Sequence, residues 1–335
     1  MSLEVTWLAL LGLLLAGYFV LGGYDYGVQM LQSPLARDES ERRLALNSFG
    51  PFFLGNEVWL VAFGGVLIGA FPFLEGPLLS GMYAPVGVIL GGVVLGNVAV
   101  QLRSRHEGRA ARAVWDRLAL VGGVVPAAGW GLVLGLLIRG LPLTPQGTFT
   151  VGLAELLDPF VLLCGATTLA LFAGHGAAFL AMRTRGGLRE RAIRAGRPLL
   201  GVAALCALAG LALGALSGVA ADGRTAALLT GALLLALVVA VVALSRGGAR
   251  TAFAATCCAA ALPVLIAGLG LYPDLLVSTG GGAYRLAVPE AAADAATLQL
   301  LLPLGTLVIP LLIAFQAFNW WAFRGRVDGR HSIYL

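Results

Sequence analysis

The sequence predicts an all-α polytopic membrane protein with nine transmembrane helices, arranged as two four-helix bundles plus one helix. Three observations predict it. The 335 residues are 59% hydrophobic and 12% charged, with a mean hydropathy of +0.90, whereas a soluble domain carries about 25% charged residues. The apolar residues form continuous runs of about 20, the length that crosses a hydrocarbon core of about 30 Å as a helix. The arginines gather in alternate gaps between those runs, as loops on opposite sides of a membrane require. Only helices or closed barrels satisfy every backbone group in lipid, and runs this long and continuous exclude barrel strands.

In chain order the runs cover 5–31, 56–74, 78–102, 118–138, 156–182, 198–220, 225–244, 251–272 and 298–323. The first is not a cleavable leader, because no basic segment precedes it and its apolar run is too long. The second and seventh are the shortest, and Gly64 and Gly65 interrupt the second, yet both reach the lower end of the spanning range. Asp158-Pro159 opens the fifth as a helix start: Asp accepts from free N-terminal amides and Pro tolerates the first turn. Trp320 and Trp321, followed by Arg324 and Arg326, close the ninth at the membrane interface. Residues 273–297, rich in Gly, Ala and Pro, form an outer segment that either caps the helix ends or lies on the membrane surface.

The charges test the count independently. Nine spans with the N-terminus outside put Arg37, Arg42, Arg43, Arg103, Arg105, Arg109, Arg112 and Arg117 on the cytoplasmic side. Arg183, Arg185, Arg189, Arg191, Arg194, Arg197, Arg246, Arg250, Arg324, Arg326 and Arg330 join them, and the C-terminus lies inside. Only Arg139, Arg224 and Arg285 remain outside. A helix miscounted in the middle would scramble this segregation. The net charge of +5 is spread over short loops, all of it on arginine, so no nucleic-acid surface is expected. Cys164, Cys206, Cys257 and Cys258 all lie in apolar runs without metal-ligand or disulfide spacing and read as small packing residues.

The chain reads as one integral membrane domain, 1–335. The first and fifth spans share a layout, Gly22-Gly23-Tyr24-Asp25 in one and Gly174-His175-Gly176 in the other, each followed by an Arg/Glu loop. This divides the chain into a first four-helix half (1–140), a second (141–272) and a final helix (298–323).

Ionisable residues inside spans are costly and mark pathways, sites or paired contacts. Asp25 lies about 30 Å along the first span, Glu57 begins the returning second span, and His175 lies about 25 Å along the fifth. Asp25, Glu57 and His175 are therefore expected at one depth near the cytoplasmic side. With Tyr24 and Asn56 as hydrogen-bonding neighbours, they are the candidate residues for proton uptake. The alternative is that they are mutually satisfied contacts between helices, and for His175 beside its glycines this packing reading is the stronger one. A secondary transporter, which also pairs helix halves around buried carboxylates, is the competing function.

In order along the chain, Gly23-Tyr24-Asp25-Tyr26-Gly27-Val28, Glu41-Arg42-Arg43, Gly55-Asn56-Glu57-Val58-Trp59, Ala70-Phe71-Pro72 and Ser80-Gly81-Met82-Tyr83 form a recognisable series. Leu102-Arg103-Ser104-Arg105, Asp158-Pro159-Phe160, His175-Gly176-Ala177, Met182-Arg183-Thr184, Tyr272-Pro273 and His331-Ser332 continue it. The series resembles subunit II of cytochrome bd-type quinol oxidases over the whole chain. The resemblance implies a bacterial inner-membrane protein that pairs with a haem-bearing subunit I, which holds haems b and d and the quinol site and reduces oxygen to water. It also implies two four-helix bundles plus one helix, proton uptake from the cytoplasm, small accessory membrane subunits in the complex, and in some members a structural quinone.

Haem ligation by this chain is not expected. His175 is the one histidine within a span, Met30 and Met182 read as packing residues, and His106 and His331 lie in a loop and the tail. One departure bears on protons: the family usually shows Trp-Asp where this chain has Phe53-Leu54. The missing carboxylate is the one most often placed in a proton route, which cannot be carried over to Leu54.

Overall fold

Ser2 opens the first helix by accepting from the Val5 amide, and α1 then runs unbroken over Leu3–Leu35. The computed structural model describes residues 2–105, 108–143, 148–219, 222–279 and 284–327. His106, Arg330 and the His331-Ser332 pair lie outside them. After α1 come α2 (Glu39–Phe49), α3 (Phe53–Ala70), α4 (Pro72–Gly81), α5 (Tyr83–Arg103), α6 (Arg109–Arg139) and the single turn α7 (Leu153–Leu156). The second part holds α8 (Pro159–Arg183), α9 (Gly186–Ser217), α10 (Gly223–Ser245), α11 (Ala249–Leu271), the strands β1 (Asp274–Val277) and β2 (Arg285–Ala287), α12 (Val288–Ala291) and α13 (Ala295–Ala322). Among the described residues nine of these helices are long and apolar enough to cross a membrane: α1, α3, α5, α6, α8, α9, α10, α11 and α13.

The structure moves several expected boundaries. The runs 56–74 and 78–102 become α3 and α5 with α4 between them, because Pro72 has no amide to continue α3 and restricts Phe71 before it. Phe71 leaves the helical region, at φ −132° and ψ 57°, and Pro72 restarts the chain as the first residue of α4. Two other helices begin well before their apolar runs, α6 at Arg109 and α9 at Gly186. The 32 residues of α9 measure about 48 Å at 1.5 Å per residue, against about 30 Å of hydrocarbon, so its arginine-rich first turns project beyond the membrane. The segment 273–297 between α11 and α13 holds the two strands: β1 and β2 pair antiparallel, with Val277 opposite Arg285.

α1 is the central element and packs on α3, α6, α8 and α11. The helices α8, α9, α10 and α11 close a ring of four, while α5 reaches the core through α6, and α13 rests on α3 and α1. A tight approach joins α1 to α8 at Gly27 and Gly176. A Cβ on Gly27 would lie 2.1 Å from the Phe172 carbonyl oxygen and 2.7 Å from Gly176 Cα. Two backbones at this separation admit only glycine, the small-residue contact that replaces the hydrophobic effect as the source of helix association in lipid.

The arginine-rich end is tied by an ion-pair network. The Arg103 guanidinium, buried at 3% exposure, donates two hydrogen bonds of 2.9 Å to Glu39 on α2 and one of 2.5 Å from Nε to Asp116 on α6. Gln32 on α1 also donates to Asp116, at 3.3 Å. The Arg103 hydrogen bonds hold the Glu39 carboxyl below its usual 4.5, at about 2, so its stabilisation is full above about pH 4.5 and is lost as the pH falls towards 2. Glu39→Gln should therefore lower stability near neutral pH by about 1 kcal/mol, discounted for the partial exposure of Glu39. Thermal unfolding of variant and parent should converge as the pH drops through that window, and a constant gap would rule out this role of the carboxylate.

Candidate functional site on the first helix

The site is assembled from the C-terminal half of α1 and the first turns of α3. Asp25 is buried at 2% exposure, and Asn56, at 0%, reaches it from α3. Asn56 Nδ2 lies 2.8 Å from Asp25 Oδ2, 2.8 Å from the Tyr24 hydroxyl oxygen and 3.3 Å from the Leu21 carbonyl, and it donates to this group of acceptors. On its other side, Asn56 Oδ1 accepts from Gln316 Nε2 of α13 at 3.0 Å. The second carboxyl oxygen, Asp25 Oδ1, is buried and has no hydrogen-bond partner among the described residues. Chemically this is a carboxyl held by one oxygen and free at the other, the arrangement needed to take up and release a proton without dismantling its anchor.

Tyr24 is fixed from every side. Its ring stacks on Phe179 at 4.4 Å and meets His175, Phe253 and Trp320 edge-on. Arg183 closes the same end over the Phe52 ring and donates to the carbonyls of Phe323 and Gly325, clamping the chain beyond α13 onto α8.

Glu57 does not join Asp25. Successive helical residues point about 100° apart, so Asn56 faces the Asp25 flank while Glu57 turns towards α5. There Glu57 accepts from Asn97 Nδ2 at 3.3 Å and lies 3.5 Å from the Tyr18 hydroxyl, which is hydrogen-bonded to Tyr26. His175 is separate from both carboxylates. Its Nε2 donates to the Val20 carbonyl at 2.9 Å, its Nδ1 is 2.7 Å from the Thr256 hydroxyl, and its ring stacks on Phe253. It thus ties α1, α8 and α11 together with both nitrogens engaged. Leu54, at the position where the family usually carries Asp, is 60% exposed on the outer face of α3.

Gln316, Asn97, Tyr18 and Thr256 were not singled out from the sequence. The signal was present for the amides, since Asn97 and Gln316 interrupt apolar runs, and a buried amide in a span needs a partner as a carboxylate does.

Both His175 nitrogens are occupied, Met30 is packed against Gly123, and no group of three or more His, Cys, Asp or Glu side chains that could hold a metal ion occurs among the described residues. A cavity of about 430 Å³ opens between α6, α8, α9, α10 and α11, lined by residues such as Cys164, Thr168, Cys206, Gly210 and Pro263. Its lining carries no charge, and Thr168 donates its hydroxyl proton to its own helix at 3.1 Å. The space suits a hydrocarbon chain.

The family described as Cytochrome bd terminal oxidase subunit II matches residues 3–323. The chain is 29% identical over 337 residues to the Cytochrome bd ubiquinol oxidase subunit 2 of Bacillus subtilis (strain 168), covering 99% of each protein. It is 29% identical over 377 residues to the Cytochrome bd-I ubiquinol oxidase subunit 2 of Escherichia coli (strain K12), covering 99% of this chain and 98% of that one. The solved bd oxidase from Geobacillus thermodenitrificans shares the fold, with a TM-score of 0.78 at 19% identity, covering 96% of this chain and 99% of that chain. Matches of this length do not favour the transporter reading. With the nine spans, the Asp25–Asn56 pair in its motif and agreement from end to end, the chain belongs to the cytochrome bd terminal oxidase subunit II family.

Proposed function

We propose that this chain is the haem-free subunit of a two-subunit quinol oxidase, that haems b and d and the quinol site lie on its partner subunit I, and that Asp25 serves proton uptake. The observation that carries the proposal is the Asp25 carboxyl, buried in the C-terminal half of α1, anchored through one oxygen by Asn56 and without a partner at the other among the described residues. Four-electron reduction of oxygen to water consumes four protons, and a buried carboxyl near one membrane face can relay them. Tyr24 and Asn56 hold that carboxyl. Glu57, with Tyr18, Tyr26 and Asn97, is a second polar group, nearer α5, and His175 joins three helices beside them. In this reading the halves 1–140 and 141–272 form one body, joined where α1 meets α8.

Among the described residues His175 has both ring nitrogens engaged, which supports placing the cofactors on the partner. The complex purified intact should show bd-type haem absorption, and this polypeptide alone should be colourless. A stoichiometric haem bound to the isolated chain would refute the assignment. For a structural quinone, the cavity beside Cys164 and Cys206 would hold the apolar tail.

The same reading sets the orientation. The gathering of nineteen arginines in alternate loops supports an orientation with the N-terminus outside and the C-terminus inside the bacterial inner membrane. A membrane-impermeant thiol reagent on right-side-out vesicles should label Leu153→Cys, in the exposed α7 turn, and spare Arg185→Cys, in the loop before α9. The opposite pattern would invert the topology.

A further inference from the structure

The final helix α13 is the least buried of the nine spans, yet it sends one amide into the Asp25 site. Its buried residues Leu298, Leu312, Gln316 and Asn319 form a single stripe, and two of these four are polar. Asn319 Nδ2 donates to the Pro51 carbonyl at 3.1 Å, a seating contact at the end of the helix. Gln316 does something different. It meets Asn56, 260 residues away in sequence, at the oxygen of the carboxamide whose nitrogen holds Asp25.

A terminal carboxamide has two faces of nearly the same shape and opposite hydrogen-bonding sense. Asn56 keeps Asp25 anchored only while its nitrogen faces Oδ2. Turned over, it would set an acceptor oxygen against a carboxylate oxygen. The Leu21 carbonyl, which can only accept, favours the first orientation at 3.3 Å, and the donor from Gln316 at 3.0 Å reinforces it by satisfying Oδ1. Gln316 is poorly rewarded locally: its own Oε1 is buried without a partner among the described residues, a desolvation cost that an apolar side chain in this stripe would not carry.

We infer that Gln316 is a positioning residue for Asp25, acting through Asn56, so that the last helix of the chain sets the orientation of a carboxyl on the first. As a contribution to turnover the inference rests on the proton-uptake reading of Asp25; as a statement of geometry it does not. In the assembled oxidase, the carboxyl infrared band of Asp25 is identified by its loss in Asp25→Asn. Gln316→Met should keep the haem content, displace that band, change the pH profile of quinol-driven oxygen uptake, and slow uptake about fivefold, the equivalent of one ordinary hydrogen bond. Asn319→Leu, which removes the neighbouring seating contact and leaves Asn56 untouched, should leave the band in place.

An unmoved band in Gln316→Met overturns the inference, and so does an equal displacement in Asn319→Leu, which would reduce the effect to helix seating. Should the methionine variant not assemble, Gln316→Glu keeps the shape and presents an acceptor to Asn56 when ionised. An unmoved band there at a pH that ionises the new side chain overturns the inference equally. A displaced band in Gln316→Met together with normal oxygen uptake in Asp25→Asn would uphold the positioning and refute the proton route.

Discussion

Replacing Asp25 by asparagine is expected to slow quinol-driven oxygen uptake per haem by about a hundredfold, the lower end of what a general acid–base group contributes, while assembly and haem content stay as in the parent. The geometry makes this substitution informative. The amide oxygen of the new side chain can accept from Asn56 as Oδ2 does, and its NH₂ group falls where Oδ1 now has no partner. Shape, volume and the Asn56 hydrogen bond are therefore retained, and the capacity to exchange a proton is lost. A purely structural Asp25 predicts another outcome, in which the variant is either fully active or fails to assemble. Unchanged turnover at every pH would remove Asp25 from the proton route.

The second large effect is expected at the seam between α1 and α8. Gly27→Ala adds one methyl group, but that methyl would sit 2.1 Å from a carbonyl oxygen and 2.7 Å from a Cα, both backbone atoms that cannot rotate away. Overpacking a core typically costs 1–3 kcal/mol where side chains can adjust. Here the two central helices must separate, so a loss of about 3 kcal/mol or more is expected. The readout is the yield of haem-containing complex and its thermal unfolding, compared with Gly64→Ala in α3, where an added Cβ meets nothing within 4 Å. Gly27→Ala unfolding together with Gly64→Ala would show that the seam is not tight.

Both predictions concern residues whose surroundings were only partly legible in the sequence. That Gly27 follows Asp25 in a glycine-rich motif is visible in the chain; that its partner is Gly176 is not, because the contact depends on how α1 and α8 cross. The pairing of Asp25 with Asn56 was anticipated as a neighbourhood, since both fall at one depth by helix rise. Glu57 and His175 lie beside this pair, His175 with its ring against Tyr24 and Glu57 at the Tyr18 hydroxyl, but neither hydrogen-bonds Asp25. Depth is one coordinate, and the rotation of each helix supplies the other. Asn56 and Glu57 are adjacent in sequence, yet Asn56 turns to Asp25 and Glu57 to Asn97 of α5, while His175 is taken up by Val20 and Thr256.

The number of spans, the gathering of arginines on one side and the motifs around Asp25 and Asn56 were determined by the sequence itself, because each follows from a local property: the thickness of hydrocarbon, the cost of burying charge, and residue order. Where the helices end was determined less well, since an arginine-rich turn stays helical outside the membrane, as at the start of α9, and Pro72 interrupts a run that is apolar throughout. Only the tertiary structure decided which polar groups meet. Gln316 lies 260 residues from Asn56 and Asp116 lies 84 from Gln32, and no periodicity along the chain encodes such contacts. They are set by helix rotation and crossing, which the uniformly apolar surfaces of membrane helices leave unspecified and which close packing at residues such as Gly27 and Gly176 resolves.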